Sequence, residues 1–179
     1  MSKQQIKKII ESRVGDDGLV ETGITGVQLF RVTEPHRCAP AVYEPAVVAI
    51  VSGTKEAIMN GNSYVYDSSR YMCCTMSMPV EAGTPAASPD NPLLGVYISL
   101  DTKVMTELAI EMENAAGAIR TPESGPLPNG IALARWDDAF TAALLRLLQL
   151  GDSSTDTAVL GNGRLREVYY AILNGDTGE

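Results

Sequence analysis

Few side chains in this sequence have the chemistry for catalysis. There is one histidine, His36, in a Pro-His-Arg-Cys stretch, and there are three cysteines, Cys38, Cys73 and Cys74. A β-barrel metal site needs two or three imidazoles with a carboxylate, because imidazole is the ligand that suits iron, nickel, copper and zinc. One histidine cannot assemble that set. Ser-His-Asp or Cys-His catalysis would have to run through His36, and no Gly-rich phosphate loop or nucleotide fingerprint accompanies it. No catalytic residue, cofactor or metal ligand is therefore assigned.

The remaining chemistry is sulfur. Tyr71 to Met78 reads as the clearest strand of the chain, and alternation puts Met72, Cys74, Met76 and Met78 on one face. Tyr71, Cys73, Thr75 and Ser77 take the other. Either the Met and Cys side chains are adaptable packing residues, or they wall a small-molecule cavity. In the second case a cysteine could answer an oxidant or electrophile, provided Arg37 or Arg70 lowers its pKa. An odd number of cysteines, two of them adjacent, reads as reduced thiols.

Those residues need elements to position them. The 179 residues allow one compact domain with an appendage, and the 45% hydrophobic fraction suffices for a sizeable core. No apolar run approaches the roughly 20 residues of a membrane span. The opening MSKQQIKKIIESRV lacks the apolar stretch of a signal peptide, so a cytoplasmic setting without membrane contact is expected. The net charge of −8 argues against direct nucleic-acid binding by this surface.

Ile6, Ile9, Ile10 and Arg13 fit a short amphipathic helix closed by Gly15 to Gly18, so residues 1–18 form an N-terminal helix and turn. Residues 19–101 then read as short strands: 27–32, the continuous apolar run 46–52, 55–59, 63–66, 71–78 and 93–100. Asn60-Gly61 marks a hairpin, and 82–92 is a Pro-, Gly- and Ala-rich loop. Turns at this spacing predict a sandwich or barrel. From residue 102 to 179 the period is helical. Asp101 is a candidate N-cap for a helix carrying Val104, Leu108 and Met112 and stopped by Gly117. Residues 121–130 form a linker. Trp136, Phe140, Leu144, Leu147 and Leu148 stripe a second helix, and Leu165, Val168, Tyr169 and Ile172 stripe a last one. These two apolar stripes serve either intramolecular packing or a dimer seam.

The order of these features carries a resemblance. Tyr43-Glu44-Pro45, the run Ala46 to Gly53 with Gly53-Thr54-Lys55, Tyr66-Asp67, Tyr71, Pro79 and Ala87-Ser88-Pro89 come first. Val96 to Leu100 into Asp101 follow, then Asp137, Leu144, Leu147, Leu148, Arg166-Glu167, Tyr169-Tyr170 and Leu173-Asn174-Gly175. Together, from about Gly18 to Gly175, they resemble the N-terminal domain of AraC-type transcriptional regulators. The resemblance implies a mainly β fold with α, a cupin-like double-stranded β-barrel followed by a helical hairpin. It also implies effector sensing, dimerisation through the helices, and a C-terminal helix-turn-helix pair that reads DNA. That DNA-reading domain would begin where this chain stops, which suggests an expressed fragment or a truncated product. Two departures stand out: Ser68-Ser69 where relatives often have a glycine, and the Met and Cys content of 71–78 in place of aliphatics.

The expected site is a cavity between the sheets, lined by Tyr43, Val48, Ile50, Met72, Cys74, Met76, Val96 and Ile98, with Tyr43 as a polar gate. A one-residue error of register would move the whole set to the other face. Expected partners are a small-molecule effector, a second copy of the chain meeting it through Trp136, Phe140, Leu144, Leu147, Leu148, Leu165 and Tyr169, and DNA only through the absent domain. Two rivals remain at this point: a cupin-type enzyme such as an isomerase or dioxygenase, and a solid-barrel dimerisation module without ligand.

Overall fold

The computed structural model describes residues 2–116 and 131–175, which form ten strands and four α-helices. Helix α1 (Ser2–Arg13) leads into β1 (Gly18–Glu21), β2 (Val27–Val32), β3 (His36–Tyr43), β4 (Ala46–Ser52) and β5 (Lys55–Met59). Then come β6 (Asn62–Tyr66), β7 (Arg70–Cys74), β8 (Met78–Thr84) and β9 (Leu93–Ser99). Helix α2 (Thr102–Ala116), β10 (Ile131–Arg135), α3 (Asp138–Gln149) and α4 (Ser154–Asn174) complete the described chain. The strands form two antiparallel sheets, one ordered β1-β2-β9-β4-β7-β10 and the other β3-β8-β5-β6. This is the two-sheeted barrel with helices that the sequence suggests.

Local chemistry explains the turns. Asn60 and Gly61 take φ of 52° and 79° between β5 and β6, the left-handed pair of a tight hairpin. Asp101 caps α2 by accepting from the Val104 N–H at 3.2 Å. Asp137 caps α3 by accepting from the Phe140 N–H at 2.7 Å.

Three expectations about strands need correction. The expected strand 71–78 is two strands in different sheets. After Cys74 the chain crosses between sheets through exposed Thr75, Met76 and Ser77, and the Cys74 thiol donates to the Met76 carbonyl at 3.1 Å in that crossing. The expected loop 82–92 is shorter, because β8 runs to Thr84. The stretch containing His36 is an edge strand, β3. Its mostly exposed side chains leave no alternation to read, and its Pro40 is compatible with an edge. Short β10 also escaped notice; it pairs Ile131 with Cys74 and Ala134 with Tyr71. The Gly117 stop and the linker 121–130 lie outside the described residues.

The core is divided by the larger sheet. Its outer face (Leu29, Val47, Ala49, Tyr71, Val96, Ile98) packs under α1, α3 and α4 with Ile6, Ile10, Phe140, Leu144, Leu147, Val168 and Ile172. Its inner face (Phe30, Val48, Ile50, Met72, Cys74, Leu93) meets Ala57, Met59, Tyr66, Met78 and Val80 of the second sheet and its hairpin.

Candidate functional site

Alternation decides which residues can face a guest. On β4, Val48 and Ile50 point between the sheets while Val47 and Ala49 point to the helices. On β7, Met72 and Cys74 point inward and Tyr71 and Cys73 outward. Between the sheets lies a cavity of about 220 Å³ bordered by Tyr43, Val48, Lys55, Met72 and Tyr97, with Val42 and Glu44 at its rim.

Tyr43, Val48 and Met72 of the expected set therefore border this cavity, and Ile50 and Cys74 belong to the apolar cluster around it. Val96 and Ile98 do not. Both are fully buried on the outer face, against the helices. The error is one residue on β9: register pairs Val48 with Tyr97, and Leu93 and Tyr97 are the inward side chains. A continuous apolar run such as Leu93 to Ile98 carries no period-two signal, so its facing cannot be read from the sequence. Met76 is 52% exposed at the sheet crossing, away from the cavity.

The cavity-lining residues missed by the sequence reading are Lys55 and Tyr97, with Tyr66 in the apolar cluster behind them. Lys55 belongs to the Gly53-Thr54-Lys55 motif, and its alternation with Ala57 and Met59 would have placed it inward. It is partly buried, cross-strand from Tyr66, with Nζ 5.5 Å from the Tyr43 ring centroid. Among the described residues no carboxylate pairs with it. Burial lowers its pKa, since an ammonium is costly in an apolar surrounding. The Tyr43 and Tyr66 hydroxyls lie 3.3 Å apart. Burial raises both phenols, Tyr66 well above its ordinary value, so both stay protonated. The cavity thus offers the Lys55 amine, the Tyr43 and Tyr97 phenols and the Glu44 carboxylate among apolar side chains.

The thiols do not fit a reactive reading. Burial pushes Cys73 up to about 11, and burial also raises Cys74. Cys38 is raised by desolvation and by Glu56 and Glu81. A reactive thiol needs the opposite shift. Among the described residues, no group of three or more His, Cys, Asp or Glu could hold a metal ion.

The residues expected at a dimer seam are spent within one chain. Phe140, Leu144, Leu147, Leu148 and Tyr169 are at most 2% exposed. Phe140 stacks on Tyr71 at 4.1 Å and meets Trp136 edge-on at 5.2 Å. Trp136 and Leu165 are partly buried against the same cluster. The reason is α1, which packs onto α3 and covers the stripe together with the sheet. In this arrangement a seam made of those buried side chains is not available. Tyr169 instead ties the helices to the barrel: its hydroxyl donates to the Ser99 carbonyl at 3.0 Å and accepts from the Asp101 N–H at 3.3 Å.

A two-sheeted barrel enclosing a small cavity, backed by helices, is a binding architecture. The sequence model described as the AraC-type transcriptional regulator N-terminus matches residues 23–179. The chain belongs to that family. Its fold is similar to ligand-free ToxT of Vibrio cholerae, with a TM-score of 0.52 at 8% identity, over 83% of this chain and 55% of that one. ToxT of strain O395 aligns with a TM-score of 0.45 at 13% identity, over 81% and 54% of the two chains. A cupin protein from Bacteroides fragilis aligns with a TM-score of 0.31 at 17% identity, over 49% and 81%. The chain therefore spans little more than half the length of the ToxT structures it resembles. No curated protein sequence matches it. Among the described residues, no helix is long and apolar enough to cross a membrane.

Proposed function

We propose that this chain is the effector-sensing part of a DNA-binding transcriptional regulator, with the cavity between the sheets as effector site. The observation that supports this most directly is the cavity's position. Tyr97 borders it, and two residues further along β9 the Ser99 carbonyl is held by Tyr169 of α4. A guest that shifts β9 thereby acts on the helices. It biases them only through unequal affinity for two arrangements. In this reading the protein works in the cytoplasm, performs no catalysis itself, and reaches DNA through a helix-turn-helix domain outside these residues. A homodimer belongs to the same reading, with its seam on exposed side chains such as Ile110, Val159 and Tyr170 rather than on the buried stripes.

Thermal-shift screening of small metabolites tests the site, because a ligand that binds only the folded state raises Tm by mass action. Hits are expected with the natural chain and are expected to weaken or vanish in Val48→Phe, whose ring intrudes into the cavity. Hits that are undiminished in Val48→Phe place the effector elsewhere. The absence of any hit favours a solid barrel.

A further inference from the structure

Lys55 has no counter-charge. A buried ammonium is ordinarily paired, because an unpaired charge in a poor dielectric costs several kcal/mol. Its contact on the cavity side is the Tyr43 ring face, 5.5 Å from Nζ, which supplies no counter-charge. The carboxylates nearest in sequence are engaged elsewhere. Glu44, at the cavity rim, accepts from the Ser77 hydroxyl, and Glu56 accepts from the Ser63 hydroxyl on the neighbouring strand. Among the described residues no carboxylate forms an ion pair with Lys55, while five such pairs form elsewhere on the molecule. Besides Glu44, the rest of the wall is apolar or phenolic: Ala41, Val42, Ala46, Val48, Met72, Tyr43 and Tyr97.

Resting on the effector-site reading above, we infer that the guest of this cavity is a compact organic monoanion, a small carboxylate whose charged end meets the Lys55 ammonium. Its apolar body would lie against Val48 and Met72. Lys55 is the one cation in the lining and the Glu44 carboxylate is already held by Ser77, so one guest carboxylate can be matched at Lys55, while a dianion would bring an uncompensated charge beside Glu44. The Tyr43 hydroxyl borders the cavity, and with Tyr66 donating to it, its own O–H is the donor for the second carboxylate oxygen. Size sets the other limit. At about 220 Å³ the cavity holds the volume of about seven waters, so it suits a guest of about seven to ten non-hydrogen atoms. It is smaller than the roughly 300–1,000 Å³ of pockets for drug-sized ligands.

Calorimetric titration of the natural chain with benzoate, phenylacetate and hexanoate, each beside its uncharged amide, tests the inference. Inorganic phosphate serves as the anion without an apolar body. At least one carboxylate is expected to bind about tenfold or more tighter than its amide, the scale of a charge-assisted hydrogen bond, and phosphate is expected not to bind. Lys55→Met is expected to remove that preference while leaving amide binding in place, and to melt at or above the Tm of the natural chain because it removes an unpaired buried charge. Equal binding of acid and amide overturns the inference, as does unaltered carboxylate binding in Lys55→Met. No carboxylate binding by any member of the panel overturns it too, as does a Tm for Lys55→Met well below that of the natural chain. The effector-site reading fails separately. If amides or other neutral compounds bind and Val48→Phe abolishes them, the cavity is still the site and only the charge assignment is wrong.

Discussion

The two faces of the six-stranded sheet are built from neighbouring residues and have opposite character. On the outer face Val47, Ala49, Val96 and Ile98 are fully buried, and Phe140, Leu144 and Leu147 close over that side without exposed surface. On the inner face Val48 and Met72, each at most 3% exposed, border a cavity also lined by the Tyr43 and Tyr97 phenols and by the Lys55 amine, which has no ion-pair partner among the described residues. One backbone thickness separates a close-packed layer from a hollow one. The solid side gives the strands a fixed position, and a fixed wall is what lets the hollow side hold a guest in a defined geometry. The two sides meet at the end of β9, where Tyr169 grips Ser99 and Asp101.

Truncation on the solid side has the largest expected effect. Phe140→Ala removes a ring stacked between Tyr71 and Trp136 and is expected to cost about 3–5 kcal/mol, read from the denaturant midpoint. Adjacent residues of β4 then separate the faces. Ala49→Val adds volume to the packed layer and is expected to cost about 1–3 kcal/mol. Val48→Leu grows into the cavity and is expected to stay within about 1.5 kcal/mol of the natural chain. Equal costs at 48 and 49 would erase the distinction between the faces. Asp137→Ala leaves the Phe140 N–H without its 2.7 Å cap and is expected to lose about 1 kcal/mol, with the loss confined to the helical side.

Titration of the thiols probes both faces at once. Cys73 lies on the solid side and Cys74 on the hollow side, both buried, while Cys38 keeps partial access. A disulfide reagent at neutral pH is expected to modify one thiol in the folded chain and three in denaturant. The sign of the pH effect follows from burial. Cys73 has its pKa raised from 9.0 to about 11 on folding, so its contribution to stability is intact below about 9. That contribution is lost as pH climbs through about 11. A folded chain that grows more stable between those values would contradict a buried, neutral Cys73.

Gly95 shows how tightly neighbouring strands of the larger sheet pack. A Cβ at Gly95, in the middle of β9, would stand 2.5 Å from the Phe30 ring and 2.6 Å from the Ala49 carbonyl. The inner-face Phe30 ring occupies the space over Gly95 that any side chain would need.

What residue types and spacing determined on their own was local. Strands 27–32, 46–52 and 55–59 coincide with β2, β4 and β5, because apolar runs bounded by turn residues have few alternatives. The Asn60-Gly61 hairpin and the Asp101 cap rest on interactions within a few residues of themselves. The order of those elements was also enough to indicate the family. Tertiary structure decided everything that depends on a partner distant in sequence. Thr75 to Ser77 leave the sheet because β8 pairs with β3 and β5 instead of continuing beside β4. Val96 and Ile98 face the helices because register sets Tyr97 beside Val48. The Trp136 and Leu144 stripe is covered because α1, more than a hundred residues earlier, packs onto it. Periodicity states that a face is apolar, and only the fold states what that face touches.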